Sequence, residues 1–426
     1  MAKRQRFVSS GVDSCRRVAL PSLLIAGMLA LAILATATPP AYAQTYQVIH
    51  TFTGCADGDS PLATLTLDKS GRLYGTTAFG GSACGHSGGG VAFRVERAGS
   101  GWIQTPIHTF SDGSNDGREP FNYGGLTTGP DGIFYGTTKS GGAYGNGTVF
   151  TLQPPATACV TALCSWTTKV LFSFGSPGDY DLYGNAILDS AGNVYGTAAI
   201  RDGVANGTAF QLTNSGGTWT QNIVYAWSNG VYALAGLFLD PAGNLWGTTF
   251  NGGLGGGSIF ELTPSGSGWT FNTLYSFTGG DDGLSPVGGL VMDAAGNLYG
   301  TTTQAGGSDP GGGTVFELSP SDGGWTLTTL CSLKGISGPE SALTFDAAGN
   351  LYGTTANDGT SFEGSVFKVT HSGNGWTCTD LQDFTGSNND GENPVGGVAL
   401  DASGNLYGTT SAGGANGAGV VWEITP

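Results

Sequence analysis

The chain has 426 residues, of which 77 are Gly and 11% are Phe, Trp or Tyr. Five of its 15 Lys and Arg residues precede residue 44, whereas only one of its 31 Asp and Glu residues, Asp13, does so; residues 44–426 therefore carry a net charge of −20. Such an acidic surface repels nucleic acids and anionic membranes, and we expect neither as a partner. Many glycines together with many aromatic residues indicate numerous turns around a packed core and argue against disorder.

The first 43 residues are predicted to be a secretory signal peptide. Five basic residues precede the apolar run 18–35, and Ala41 and Ala43 are the small residues that a signal peptidase reads. An uncleaved membrane anchor is the alternative, because the run is close to the minimum length of a span. The Ala-x-Ala site favours cleavage before Gln44. We therefore expect a secreted protein, periplasmic or extracellular, with no membrane segment after cleavage.

One phrase, Leu-Tyr-Gly-Thr-Thr or a close variant, recurs seven times at intervals of about 51 to 61 residues. The seven copies begin at Leu73, Phe134, Val194, Leu245, Leu298, Leu351 and Leu406. A repeat of this length that cannot bury its own apolar face is typical of propellers and solenoids.

Each repeat predicts four strands, here named A to D. In the fifth copy, strand A is short and begins with small residues (288–292), and strand B is the recurring phrase. Strand C reads Val-Phe-Glu-Leu (315–318). Strand D opens at a Trp and alternates, as in the fourth copy (269–277). The A–B turn reads Asp-x-x-Gly-Asn, in which the Asp side chain accepts backbone N–H groups and the Gly takes a positive φ.

The seventh repeat stops after strand C, and residues 46–52 resemble a spare strand D. An N-terminal strand that completes the last blade closes a ring and removes the open sheet edge. The sequence therefore predicts an all-β, seven-bladed β-propeller with four-stranded blades, formed by residues 44–426 as a single domain.

The phrase Asp-x-x-Gly-Asn-Leu-Tyr-Gly-Thr-Thr (as at 293–302), followed by a Gly-rich turn and Val-Phe-Glu-Leu, resembles the GloVer (Gloeo/Verruco) tandem repeat of exported bacterial proteins. It is more distantly similar to NHL-like, sensor-ectodomain and virginiamycin-B-lyase-like propellers. The resemblance covers essentially all of residues 44–426. It implies the propeller fold and no defined catalytic residues.

Candidate binding residues lie in the D–A and B–C loops, which share the face conventionally called the top. These loops are rich in Gly and carboxylates, whose oxygens suit Ca²⁺; solvated turn residues are the alternative. We expect no other cofactor. The candidate residues are Asp57, Asp59, Asp116, Asp281, Asp282, Asp390, Glu392 and His86.

Tryptophans offer a second possible ligand surface, because aromatic faces stack on sugars. However, the same repeat position, the start of strand D, holds Trp in six blades, so packing between blades is the better interpretation. The six residues are Trp102, Trp166, Trp219, Trp269, Trp325 and Trp376.

Three functions remain open. The first is a non-catalytic, monomeric module that binds a glycan or protein ligand through its top face. The second is an extracellular polysaccharide or lactone lyase or hydrolase that uses top-face carboxylates. The third is a structural component of the cell envelope. No nucleophile elbow, P-loop or zinc-protease motif is present, which favours a binding module over an enzyme.

The cysteines after the signal peptide form three sets: Cys55 and Cys84, Cys159 and Cys164, and Cys331 and Cys378. The first set lies in top-face loops of one blade and the second within one C–D insertion, so we predict two disulfides. The third set lies at different heights on the outer strands of neighbouring blades. We expect those Cα atoms to exceed the ~7 Å limit for a disulfide and both thiols to be buried and free.

Overall fold

The computed structural model describes residues 44–111, 116–121, 123–155, 165–175, 179–201, 206–266, 268–304, 311–373, 375–387 and 389–426. These residues belong to one compact unit, Ala43–Pro426. The predicted signal peptide and the Cys159–Cys164 disulfide lie outside the described residues. Within these ranges, no helix is long and apolar enough to cross a membrane.

Seven antiparallel four-stranded sheets make up the fold, each with the strand order A-B-C-D. Blade one contains Thr66–Leu67, Leu73–Thr77, Val91–Ala98 and Gly101–Thr109. Blade two contains Thr127–Thr128, Phe134–Thr138, Thr148–Gln153 and Thr167–Ser173. Blade three contains Ile187–Leu188, Val194–Ala198, Thr208–Ser215 and Thr218–Ala226. Blade four contains Phe238–Leu239, Leu245–Thr249, Ser258–Ser265 and Gly268–Ser276.

The remaining blades repeat the pattern. Blade five contains Val291–Met292, Leu298–Thr301, Thr314–Ser321 and Gly324–Ser332. Blade six contains Thr344–Phe345, Leu351–Thr355, Ser365–Ser372 and Gly375–Asp383. Blade seven contains Ala399–Leu400, Leu406–Thr410, Val420–Thr425 and, as strand D, Thr45–Thr51.

Short additions decorate the loops. Three two-stranded ladders join a D–A loop to the B–C loop that follows it: Gly117–Arg118 with Ser140–Gly141, Asp179–Tyr180 with Ile200–Arg201, and Gly391–Glu392 with Ala412–Gly413. Two 3₁₀ turns cover Gly85–Ser87 and Pro130–Gly132.

The ring closes as predicted. The N-terminal strand runs antiparallel to the final strand of the chain, with Val48 opposite Trp422 and His50 opposite Val421. Blade seven is thus built from both ends of the propeller, and its outer edge is covered by the chain's own N-terminal segment. The seven-bladed, all-β prediction is confirmed.

The A–B turns show why this sequence repeats. Asp293 Oδ1 accepts the backbone N–H groups of Ala295 and Asn297, both at 2.9 Å. Its other oxygen accepts the Asn297 side-chain amide at 2.8 Å and the Tyr299 hydroxyl at 3.2 Å. Gly296 has a φ of +86° and leaves open space where a side chain would be. The same turn recurs at Asp68, Asp189, Asp240, Asp346 and Asp401.

The glycine inside strand B makes room for an aromatic ring. A Cβ atom on Gly300 would lie 2.6 Å from Cζ of Phe316, which is fully buried. The equivalent Gly408 faces the buried Trp422 in the same way. Each blade is therefore organised around one large side chain of strand C that crosses strand B over a glycine.

The strand D tryptophans pack between blades, as expected. Trp325 of blade five lies edge-on to Trp246 of blade four, with ring centroids 5.8 Å apart. Trp102 of blade one meets Tyr407 of blade seven at 5.9 Å. These contacts carry the apolar core across the gaps between blades, so the rings are part of the scaffold.

One disulfide prediction is confirmed and one prediction of free thiols is wrong. Cys55 and Cys84 are bonded. Cys331 and Cys378 are also bonded, with their Cα atoms 6.3 Å apart. The outer strands of adjacent blades are offset along their length, so different heights in the repeat come into contact. Tyr225 and Phe271 occupy the same two repeat positions in blades three and four, and they stack at 4.3 Å.

A buried carboxylate lies at the seam where the ring closes. Glu423 lies on strand C of blade seven and its side chain is fully buried. It accepts hydrogen bonds from Arg97 of blade one, from the side-chain amide of Gln47 in the N-terminal strand, and from the Tyr407 hydroxyl at 3.0 Å. One residue thus connects both ends of the propeller to the first blade.

Candidate functional site

The residues that lead into each strand A surround the propeller axis. Small side chains predominate there because neighbouring blades almost touch. The Gly397 N–H donates to Thr64 Oγ1 at 2.8 Å. A Cβ atom on Gly236 would lie 1.9 Å from Asn185 Oδ1. The small residues at the start of strand A therefore allow these close contacts between blades.

One repeat position stands directly above this crowded zone, on the top face. It is the fourth residue before strand A of each blade, and we call these seven residues the mouth ring. Four are aliphatic and three are not: Leu62, Tyr123, Tyr183, Leu234, Val287, Glu340 and Val395.

Contacts of Tyr123 place the mouth ring at the axis. Its ring packs in the apolar cluster of Leu62 and Val395, which belong to blades one and seven. It stacks beside Tyr183 of blade three, and Glu340 of blade six lies close enough to its hydroxyl to raise the pKa of Tyr123. A side chain of blade two that meets four other blades must lie close to the axis.

Three aromatic rings form a platform at one side of the mouth. Tyr123 and Tyr183 lie nearly parallel, at an interplanar angle of 14° and a centroid distance of 6.4 Å. Phe121 stands edge-on to them at 5.7 and 5.8 Å. The backbone holds this platform, because the Tyr123 N–H donates to the Tyr183 carbonyl at 3.3 Å and the Tyr123 carbonyl accepts from Thr64.

Lys139 approaches the same platform from the B–C loop of blade two. Its Nζ lies 5.5 Å from the centroid of Phe121 and 5.2 Å from that of Tyr183, which is the range of a cation–π contact. Burial opposes its charge, but Tyr183, Asp181 and Glu119 outweigh this effect and raise the pKa of Lys139. The ammonium is therefore charged and locally balanced.

Glu340 is the partly buried carboxyl of the mouth ring. Burial raises its pKa, and the neighbouring Tyr123 and Ser337 side chains offset this effect only in part. Glu340 forms no ion pair with any described residue. Burial and the nearby Glu340 also raise the pKa of Tyr123, so that phenol stays protonated and acts as a donor. The mouth thus combines aromatic faces with a carboxylate that lacks a cation.

The structure places four predicted aspartates at the caps of the D–A loops. Asp282 accepts the N–H and hydroxyl of Thr278, both at 2.7 Å, and the Tyr275 hydroxyl at 3.0 Å. Burial would raise its pKa, but these hydrogen bonds prevail and lower it. Equivalent contacts are made by Asp57 with Thr53 and His50, by Asp116 with Ser111 and His108, and by Asp390 with Thr385 and Tyr46.

The other predicted residues are dispersed. Asp59 is buried and accepts the Ser60 hydroxyl at 2.9 Å, and Asp281 is exposed. Burial and then the charge of the nearby Glu363 raise the pKa of Glu392. His86 is exposed and lies edge-on to Phe79 at 4.7 Å. The loops do not bring these eight residues into one cluster, and their binding role remains a prediction.

The described part of the chain contains no preformed metal centre. There, no three His, Cys, Asp or Glu side chains are arranged so that they could hold a metal ion. The hydrogen bonds of the capping aspartates use oxygens that Ca²⁺ would need. A calcium role stays a prediction.

Two cavities open on the opposite, bottom face. One of about 750 Å³ lies between blades one and two, and one of about 460 Å³ lies between blades seven and one. Both are lined by Ser70 and Arg72. The larger one is bordered by Pro154 and Trp166, which flank the undescribed residues 156–164, so its extent carries no functional argument.

Tyr123, Tyr183, Glu340, Phe121 and Lys139 were missed by sequence reasoning. The available clue was a departure from the repeat: Tyr and Glu replace an aliphatic residue at one position in three blades. Positions that recur in every repeat identify the scaffold and not the site, so these exceptions are not visible among them.

Comparison with known proteins identifies the repeat. The model of the Gloeobacter/Verrucomicrobia repeat matches residues 36–179 and 181–422. The chain belongs to this repeat family. The resemblance read from the sequence is therefore confirmed, and the Gloeobacter/Verrucomicrobia repeat forms a closed propeller here. No curated protein matches the chain.

Several solved structures are similar to this Gloeobacter/Verrucomicrobia repeat protein. A fungal alcohol oxidase of the AA5 family, in complex with copper, has 12% identity and a TM-score of 0.54, covering 90% of this chain and 77% of its own. A candidate oxidoreductase (glucose dehydrogenase) from Thermus thermophilus has 14% identity and a TM-score of 0.39, covering 89% and 99%. A candidate 6-phosphogluconolactonase from Bacteroides uniformis has 14% identity and a TM-score of 0.45, covering 76% and 85%. At these identities the likeness concerns the fold alone.

Proposed function

We propose that this Gloeobacter/Verrucomicrobia repeat protein is an exported carbohydrate-binding propeller whose site is the mouth ring. The observation that carries the proposal is the platform of Phe121, Tyr123 and Tyr183 beside the Glu340 carboxyl. Sites for small ligands are typically aromatic surfaces with a few well-placed polar groups.

Carbohydrate chemistry fits both parts of this site. One face of a sugar ring presents C–H groups, which pack against the electron-rich face of an aromatic ring. The ring edge presents hydroxyl groups, which donate to a carboxylate such as Glu340. The Tyr123 and Tyr183 side chains are partly exposed, so a ligand entering from the top face has access to them.

Export is part of the proposal. It is supported by the two disulfides, which indicate an oxidising compartment, and by the predicted signal peptide. A binding role is favoured because the mouth ring contains one carboxylate, Glu340, whereas hydrolysis of a glycosidic bond ordinarily uses a pair.

Isothermal titration against a panel of short oligosaccharides tests this function. Tyr183→Ala is expected to weaken binding about tenfold, since an aromatic contact of this type contributes about 0.5–1.5 kcal/mol and about 1.4 kcal/mol corresponds to tenfold. Tyr144→Ala is the matched control, because Tyr144 is a 70% exposed aromatic residue of the B–C loop of blade two.

Two results would overturn the proposal. One is the absence of binding to every saccharide class by correctly folded protein. The other is binding that Tyr144→Ala weakens and Tyr183→Ala leaves unchanged, which would place the ligand on the loops outside the mouth.

A further inference from the structure

We infer that the saccharide bound at the mouth carries a free amine, which enters as an ammonium group between Glu340 and the aromatic rings. This inference rests on the proposed function and specifies its ligand as an amino sugar. It depends on the placement of Glu340 and on the charge around it.

Glu340 is an exception within its own ring. At four of the seven mouth positions the residue is aliphatic, and the three positions Leu62, Val287 and Val395 are at least nine-tenths buried. A carboxylate in this setting loses hydration and ordinarily needs a cation or several donors to compensate. The groups beside Glu340 that partly offset the effect of burial on its pKa, Tyr123 and Ser337, are both neutral. The missing partner is a positive charge.

The adjacent rings are suited to the same charge. Lys139 shows that a cation is accepted at these rings, since its Nζ lies 5.2 Å from the Tyr183 centroid. Its charge is balanced by Asp181 and Glu119 on the outer side, and it forms no ion pair with Glu340. An ammonium at Glu340 would adjoin the Tyr123 ring and gain both ion pairing and a cation–π contact.

Long-range electrostatics also favour a cationic ligand. Residues 44–426 carry a net charge of −20, and a field of this sign attracts cationic ligands and disfavours acidic sugars. Neutral sugars gain nothing from it. An amine is therefore the substituent that both the local site and the whole surface favour.

The test compares two oligosaccharides of equal length, one of glucosamine and one of N-acetylglucosamine, by isothermal titration. The free-amine oligomer is expected to bind about tenfold more tightly or better. Glu340→Gln should remove this preference by weakening the binding of the free-amine oligomer more strongly than that of the acetylated oligomer, because only the ammonium depends on the carboxylate charge.

Unspecific attraction of a polycation to an acidic protein is controlled by Glu261→Gln. Glu261 lies on strand C of blade four, outside the mouth, and its substitution removes the same charge. Titrations at about 0.1 M salt or above also suppress long-range attraction, since the Debye length is then about 10 Å or less. A preference that Glu261→Gln abolishes to the same extent would overturn the inference.

The outcomes separate the two proposals. Equal affinity for both oligomers, with weakening by Tyr183→Ala, would refute the amine and keep the carbohydrate site. A preference retained in Glu340→Gln would likewise refute it. If neither oligomer nor any neutral saccharide binds, the proposed function itself fails.

Discussion

The A–B turns and the mouth ring are two sets of equivalent positions at opposite ends of the blades. At the turns, Asp occurs in six of seven blades and accepts the same two backbone N–H groups each time, as Asp293 does. At the mouth, the residue is aliphatic in four blades and replaced by Tyr123, Tyr183 or Glu340 in three. Repetition is found where each blade must solve the same folding problem, and variation where the blades jointly surround one space.

We therefore expect the repeated positions to determine stability, and the positions where the residue departs from the repeat to determine ligand binding. Changes at repeated positions should lower the free energy of unfolding. Changes at the departures should leave it nearly unchanged and alter binding.

The largest effect is expected at the contact between the outer strands of blades five and six. Replacing both Cys331 and Cys378 by Ser should lower the free energy of unfolding by about 2–4 kcal/mol, since this disulfide closes a loop with a sequence separation of 47. Chemical denaturation measures the loss. The Cys55–Cys84 pair, with a separation of 29, provides the comparison and should lose slightly less. Free Cys331 and Cys378 thiols in the oxidised protein would contradict the structure.

A smaller loss is expected from Gly300→Ala. The added methyl group would lie 2.6 Å from the ring of the buried Phe316 and 2.9 Å from Leu290. Overpacking of this kind costs about 1–3 kcal/mol. Gly268→Ala is the control, because it is also a strand residue but has open space around its Cα atom. Equal melting temperatures for the two variants would contradict the conclusion that Gly300 makes room for the Phe316 ring.

The A–B turn is tested by Asp293→Ala, with a loss of about 1–2 kcal/mol as for a helix cap. Burial alone would raise the pKa of Asp293. Hydrogen bonds from Asn297, Ala295 and Tyr299 have the larger effect, so its pKa is lowered. The stabilisation is therefore present above the ordinary Asp pKa and lost as the pH falls through the lowered value. Urea denaturation across acidic pH should show the variant and wild type converging. The exposed Asp322 of the C–D turn is the control, with no loss expected for Asp322→Ala.

The smallest effect on the free energy of unfolding is expected for a change at Glu340 in the mouth ring. Because burial raises the pKa of Glu340, its ionised form disfavours folding. This penalty is absent below the ordinary Glu pKa and appears as the pH rises through the raised value. Glu340→Gln should therefore be at least as stable as wild type at neutral pH and equal to it in acid. Thermal denaturation of Glu340→Gln well below wild type at neutral pH would show that this carboxylate serves the scaffold.

Much of the architecture could be predicted from the sequence because each structural feature recurs in the seven copies of the repeat. The Asp-x-x-Gly-Asn turns, the inter-blade tryptophans and the closing strand were predicted from positions within the repeat. The Cys331–Cys378 bond and the burial of Glu423 were not, because both depend on how one blade is inclined against the next. That inclination arises from sheet twist, which no single repeat encodes in its pattern.

The sequence by itself determined the number of blades, their strands and the closure, since these depend on local turn chemistry and on a spare strand that must be paired. Only the tertiary structure decided which loop residues meet. Tyr123, Tyr183 and Glu340 are up to 217 positions apart in the chain, and ring closure brings them together because their shared repeat position lies beside the axis. The predicted aspartates remained separate because each caps its own loop.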